Sequence, residues 1–497
     1  MPAPTKHTPT AARLALIAAW AGVAASALAQ TCDPAALFAA PLSYPAPAAV
    51  AGNIALADFN GDGVQDLVVE DDTGVGFVSV LLGDGAGGYG PAAQFATNQA
   101  RPHGLSVGDV NRDGHLDIVC GNELGSNVVL LLGLGDGTFR TASTITTAIA
   151  QSRETALADF NGDGRLDLVV SDINNARLWL LLGNGDGTFR SGTAIPAGGT
   201  PSYFTVADAD GDGHLDLIVG NGGGGDVSVI RGDGAGRFAD QRRFAAGSGP
   251  QRPAVADVNG DGILDIVVAN FSSNTASVLL GIDGLSYAPG VHTAVGSSPR
   301  HARVADFTGD GVADIIVTNR DSNDVSLLVG VGDGAFEPQR RFAVSSQPVD
   351  GAALDANRDG AIDLVVVHRG SQDVAPLLNT CVPDPAFTTQ PKDAIATIGG
   401  VARFEAAARG PEPLAYQWLF QGRPIRGANG PSLVVQPVQT GDMGYYSLRL
   451  TARGEQLFSE PARLAVFNPC PGDFDGDGQL TIFDFLAFQN AFAAGCP

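Results

Sequence analysis

The chain has 497 residues with 29 Lys and Arg against 53 Asp and Glu, a net charge of −24 at neutral pH. That balance argues against nucleic acid or an anionic membrane surface as partner. With 66 glycines and 30 prolines, a mostly helical protein is excluded, and many short strands joined by turns are favoured.

Residues 1–29 have the layout of a secretory signal peptide. Lys6 and Arg13 precede the apolar run "LALIAAWAGVAASA", and Ala27-Leu28-Ala29 forms an A-x-A cleavage site. The run is short for a membrane span, and no other stretch approaches one. The mature protein is therefore expected to be a secreted bacterial protein without a transmembrane span, associated with the cell surface by other means.

From residue 58 a single acidic turn recurs. DFNGDGVQD at 58 is followed by DVNRDGHLD at 109, DFNGDGRLD at 159, DADGDGHLD at 208, DVNGDGILD at 257, DFTGDGVAD at 306 and DANRDGAID at 355. A near-constant spacing of about 50 residues marks an array of supersecondary units. In each unit an alternating stretch such as "SYFTVAD" enters the turn and an apolar run such as "DLVV" leaves it. A second apolar run such as "LWLLL" then leads to a glycine hairpin such as "GNGDGTF" and a more polar stretch. Four strands with turns between them make one propeller blade, so residues 30–382 are expected to form seven. The last unit stops after "VAPLLNT", whereas "LFAAPLSYPAPAAVAGNIALAD" matches "TFRSGTAIPAGGTPSYFTVAD" in layout. The N-terminal strand is thus expected to complete the last blade, leaving no unpaired edge.

The turn D-x-[ND]-x-D-G-x-x-D offers side-chain oxygens at positions 1, 3, 5 and 9 and a backbone carbonyl at position 7. Hard oxygens, flexible geometry and high negative charge suit calcium. The predicted ligands of the first two loops are Asp58, Asn60, Asp62, Val64 and Asp66, then Asp109, Asn111, Asp113, His115 and Asp117. The third and fourth loops offer Asp159, Asn161, Asp163, Arg165 and Asp167, then Asp208, Asp210, Asp212, His214 and Asp216. The fifth has Asp257, Asn259, Asp261, Ile263 and Asp265. The sixth has Asp306, Thr308, Asp310, Val312 and Asp314, and the seventh Asp355, Asn357, Asp359, Ala361 and Asp363. With threonine at position 3, the sixth is expected to be the weakest. The competing explanation is that these residues only form Asx-turns; repetition of the full pattern favours Ca2+.

These repeats resemble the FG-GAP/VCBS family, the calcium-loop propeller repeats of integrin α chains and many bacterial surface proteins. The resemblance covers about residues 32–381. It implies that calcium stiffens the blades from one face while ligands meet loops on the opposite face. Five to six places before each first loop aspartate, the residues vary in chemistry: His103, Arg153, Glu154, Tyr203, Arg252, Arg300, His301 and Asp350. They are the predicted ligand face.

Two disulfides are expected, as an exported protein allows. Cys32–Cys381 would stand in for the last blade's missing hairpin, and Cys470–Cys496 would bracket the C-terminal segment. Cys120 replaces the valine or isoleucine of a buried strand and is expected to stay free.

Residues 384–467 resemble an immunoglobulin-like domain of the I-set kind, with Trp418 on the third strand and "DMGYYSL" placing Tyr446 at the tyrosine corner. Ala406 and Leu448 stand where such domains usually carry a disulfide. Residues 469–497 resemble half of a dockerin of the short GC-ended type. Asp473, Asp475, Asp477, Gln479, Thr481 and Asp484 fall at ligand positions of an EF-hand-like loop, followed by an amphipathic "IFDFLAFQNAF". A surface or sorting receptor is the expected partner of that segment.

Two familiar motifs are set aside. Gly104-Leu105-Ser106-Val107-Gly108 spells G-x-S-x-G, but in repeat register it is a strand rather than a strand-to-helix elbow. Arg231-Gly232-Asp233 lies in the fourth unit's hairpin. The sequence thus points to an all-β, non-enzymatic, calcium-stabilised adhesion protein that binds an extracellular protein or glycan. A polysaccharide lyase or hydrolase, or a lectin, is the alternative; near-absence of lysine and of an aromatic recurring blade by blade weighs against both.

Overall fold

The structure is a computed structural model. It describes residues 33–467 apart from 47–49, 72–75, 99–100, 126, 141–142, 147–148, 150, 383–384, 411–412 and 453–454. Residues 1–29, expected to be a signal peptide, Cys32, Cys470, Cys496 and the expected calcium loop of the C-terminal segment lie outside the described residues. Among the described residues no helix is long and apolar enough to cross a membrane.

Seven four-stranded antiparallel sheets follow one another along the chain as the blades of a β-propeller. The fourth is representative, with strands Pro201–Ala207, Asp216–Asn221, Asp226–Ile230 and Arg242–Ala245. Its second strand, DLIVGN, is buried along its whole length. The unbroken apolar run Leu217-Ile218-Val219 suits a strand covered on both faces, which is why it does not alternate. Leu217 and Val219 pack with Leu178, Leu180 and Ile230 in a core shared by the third and fourth sheets. Burying each such side chain stabilises by roughly 1.5–3 kcal/mol.

The same packing closes the ring. Ile54, Leu67 and Leu81 of the first sheet share a core with Val349, Val365 and Val374 of the seventh. The seventh sheet takes its outer strand from the N-terminus, where Tyr44–Pro45 pairs with Asp373 and Val374. Phe38 bridges Asn379, and the Thr380 amide donates to the Leu37 carbonyl at 2.8 Å. Cys381 is disulfide-bonded, and its expected partner lies outside the described residues. Cys120 is free and buried, packed with Val129 and Leu131.

Residues 386–467 form a separate set of strands, with a core built on Trp418, Phe404, Leu448 and Leu464. Tyr446 stacks on Phe404 with ring centroids 4.7 Å apart, and its hydroxyl donates to the Asp442 carbonyl at 2.9 Å. Ala406 and Leu448 both lie in this core. Aromatic and aliphatic packing therefore fills the place that a disulfide would take.

Candidate functional site

Each acidic turn connects the inner strand of a blade to the second. Its position-six glycines adopt φ of 77–88°. At Gly114, Gly164, Gly213, Gly262 and Gly311 an added Cβ would meet nothing within 4 Å. Backbone conformation, not space, therefore selects glycine there.

Position one gathers amides. In the third loop Asp159 accepts from Gly162 at 2.8 Å, Asp163 at 3.2 Å and Gly164 at 2.7 Å, while Asp163 accepts from Arg165 at 3.0 Å. Position nine does different work. Asp167 accepts from Phe160 at 3.1 Å and from hairpin residue Gly183 at 2.8 Å, pinning the turn to the blade's own hairpin. Its counterparts repeat this, with Asn379 replacing the hairpin glycine in the seventh blade at 2.7 Å. All seven position-nine aspartates are buried. Burial raises their carboxyls, Asp117 and Asp363 to about 6, and the neighbouring loop aspartates push the same way.

The donor set fits a hard cation. In the fourth loop, carboxylate oxygens of Asp208, Asp210 and Asp216 lie within 4.8 Å of one another. Calcium would be held there by positions one, three and nine, and would supply charge that the loop lacks. The sixth loop differs as its sequence suggests: the amide that bonds Asp314 comes from Thr308, at 2.9 Å, rather than from position two, and Thr308 is buried. The fourth loop has its own counter-charge, since Arg231 reaches Asp210 at 2.7 Å and Asp212 at 2.5 Å. The arginine of the R-G-D tripeptide is thereby occupied. Ser106 lies within the strand Pro102–Gly108, its hydroxyl 2.9 Å from that of Thr155, so no nucleophile elbow exists there.

At the other end of the inner strands, the residues predicted as the ligand face come together. Most inner strands open with a register shift, between His103 and Leu105, Pro250 and Pro253, or Pro299 and Ala302. Such bulges redirect side chains. Arg252 is ion-paired with Glu154 and lies 3.8 Å from Asp350, while Asp350 is 2.7 Å from His301 and 2.6 Å from Arg303. Arg153 lies over the Tyr203 ring at 5.1 Å, and the His103 and His301 rings approach Tyr203 at 6.0 and 5.3 Å. Six blades contribute to this cluster, and Glu70 of the first adds to it, 3.5 Å from His103. Sequence reasoning missed Arg303 and Glu70. Arg303 stands three places before Asp306 rather than five or six, and Glu70 belongs to a second strand.

The cluster is a charge-paired plug rather than an open ring. Asp350 is fully buried, and Glu154 and His301 are nearly so. Burial would raise the Asp350 carboxyl, but Arg303 and His301, with Arg252, hold it well below the usual range. Burial raises the Glu154 carboxyl against the pull of Arg252. His301 is lowered by burial to about 4, overriding the attraction of Asp350.

A pH dependence follows from His301. Between about pH 6.5 and 4 the unfolded chain takes up a proton that the folded network refuses, so stability falls as pH drops through that window. His103, also lowered by burial, acts in the same direction. Thermal midpoints of the wild type and His301→Gln across this range should differ in slope, the variant being flatter. Parallel curves would remove His301 from the linkage.

A model of the FG-GAP-like repeat matches residues 58–120, 109–170, 159–219, 208–268, 257–317 and 306–366, which together span more than half of the chain. Among solved structures, the chain is similar to a functionally unknown protein from Desulfotomaculum acetoxidans at 13% identity, covering 59% of this chain and 89% of that one, with a TM-score of 0.41. It is also similar to a protein from Lactobacillus plantarum at 15% identity, covering 59% and 85%, with a TM-score of 0.46. A rhamnogalacturonan lyase matches at 13% identity over 86% and 92%, with a TM-score of 0.35. No curated protein matches the chain.

Proposed function

This chain belongs to the FG-GAP-like repeat family, and we propose that it is an exported, calcium-stabilised binding protein of the cell surface. It takes an extracellular protein or glycan at the mouth of the propeller channel opposite the acidic turns. One observation carries this reading. Within strands and acidic turns that recur from blade to blade, the side chains change in chemistry where His103, Arg153, Glu154, Tyr203, Arg252, Arg300, His301 and Asp350 converge, and a ligand without sevenfold symmetry requires such a departure. Binding rather than catalysis is favoured because two of the cluster's three buried carboxylates, Glu154 and Asp350, are committed to guanidinium groups, and the third, Glu70, accepts from the Asn53 amide at 2.8 Å. A general base must be free to take a proton. In the same reading, residues 384–467 are an immunoglobulin-like spacer, and residues 469–497 a dockerin-like segment with its own calcium loop and disulfide that a surface or sorting receptor recognises.

Glycan and protein arrays probed with the purified protein, together with an assay for unsaturated sugar release, test this reading. Reversible binding without product is expected. Release of unsaturated sugar from any polysaccharide would replace the binder with a lyase.

A further inference from the structure

The ligand mouth carries positive charge that the fold does not neutralise, although the chain as a whole stands at −24. Arg300 is the centre of it. Its guanidinium lies 5.5 Å from the Phe271 ring centroid, and that of Arg320 lies 4.9 Å from the same centroid. Two cations thus share one aromatic ring. Arg320 has a carboxylate of its own, with Nε 2.7 Å from Asp321 Oδ1. Arg300 makes no hydrogen bond or ion pair among the described residues. Arg153 lies over Tyr203 with its buried Nε unpartnered, although Tyr203 and Glu123 attract its charge. The acids nearby are already engaged: Glu154 and Asp350 in the plug, and Glu123 with Arg101 at 2.9 Å. Burial lowers the Arg300 guanidinium against an opposing pull from Tyr203, and Arg153, Arg320 and Arg369 push it further down.

A half-buried, unneutralised arginine surrounded by others of its sign is unfavourable in the free protein and becomes favourable when an anion arrives. The guanidinium fork matches a carboxylate in plane and spacing. An acidic peptide is the less suitable source. Extended peptides gain affinity by pairing main-chain groups with a strand edge, and here the turn amides are already bonded to each other. The Phe271 amide donates to Gly249 at 2.9 Å, Arg320 to Ser298 at 3.1 Å and Arg369 to Gln347 at 2.9 Å. A glycan with carboxylates fixed on rigid rings needs no such pairing and loses little freedom on binding.

We infer that the mouth formed by Arg153, Arg300 and Arg320 binds the carboxylates of a uronate-bearing glycan. This rests on the ligand-mouth reading above and narrows it to one class of ligand.

Calorimetric titration of the full chain with an oligogalacturonate, its methyl ester and polyglutamate tests the inference, alongside Arg300→Gln and Arg153→Gln. The oligogalacturonate should bind, more weakly as salt rises, and at least tenfold more weakly to either variant. The ester should not bind. Arg300→Gln should also keep or raise the thermal midpoint, because it relieves repulsion in the free protein. Equal binding of the ester, preference for polyglutamate, or no binding of any polyanion overturns the uronate assignment. In those cases the mouth itself stands if a ligand found on the arrays is lost in the same variants. Oligogalacturonate binding that is unchanged in both variants overturns the mouth as well. A fall in the Arg300→Gln midpoint overturns the claim that its charge is uncompensated.

Discussion

Replacing Arg252 with alanine is expected to destabilise the propeller by about 3–5 kcal/mol, the range for removing one partner of a buried ion pair. Arg252 stands between Glu154 of the third blade and Asp350 of the seventh. Without it, Glu154 keeps no cation of its own and must take up a proton or remain charged in a dry site. Asp350 is cushioned, because Arg303 and His301 still face it. Most of the loss is therefore expected at Glu154. The variant Arg252→Met separates charge from bulk and should cost nearly as much as alanine. Adding Glu154→Leu to it should recover much of the loss, since two apolar groups replace both charges. Denaturant or thermal unfolding of the three variants reads this directly. An unchanged midpoint in Arg252→Ala would mean that the plug is open to water and contributes little.

The repeat was legible because its signal is redundant. Seven copies of one turn fix the register of the blades, and the missing hairpin after Leu377 pointed to an N-terminal strand that Tyr44 and Pro45 supply. The position-nine aspartates were only half legible. The sequence offers them as ligands, while their place as pins to the hairpin depends on amides such as Gly183, 16 residues further on. The depth of the channel cluster was not legible at all. Alternation places His301 and Asp350 on the axial side of a strand, but burial there depends on how nearly seven blades fill the axis. That is a property of the closed ring and of no single repeat. A network joining the third, fifth, sixth and seventh blades has no signature in local spacing, so residues predicted only as a ligand face turn out to be ion-paired across blades.

Removal of calcium is expected to lower the thermal midpoint by more than any single substitution. A ligand bound only by the folded state stabilises by about 2.7 kcal/mol per site at a hundredfold excess over its dissociation constant, and the contributions of independent loops add. Each turn places three or four carboxylates within one bend, so the folded chain carries a repulsion that the extended chain relaxes. A divalent ion removes it. Calcium should restore the midpoint after chelation better than magnesium, because the donors are many and flexible rather than octahedral. The blades should not respond alike. Asp163→Asn in the third loop should weaken the calcium response more than Asp310→Asn in the sixth, where Thr308 is buried and supplies no carboxylate or amide oxygen. The fourth loop should tolerate chelation best, since Arg231 already neutralises part of its charge through Asp210 and Asp212. Calorimetry of the chelated and reloaded protein, with metal analysis of the purified sample, measures all three. A midpoint unmoved by excess chelator in a metal-free sample would leave the turns as Asx-turns held by their own amides. The charge crowded into them would then need another explanation.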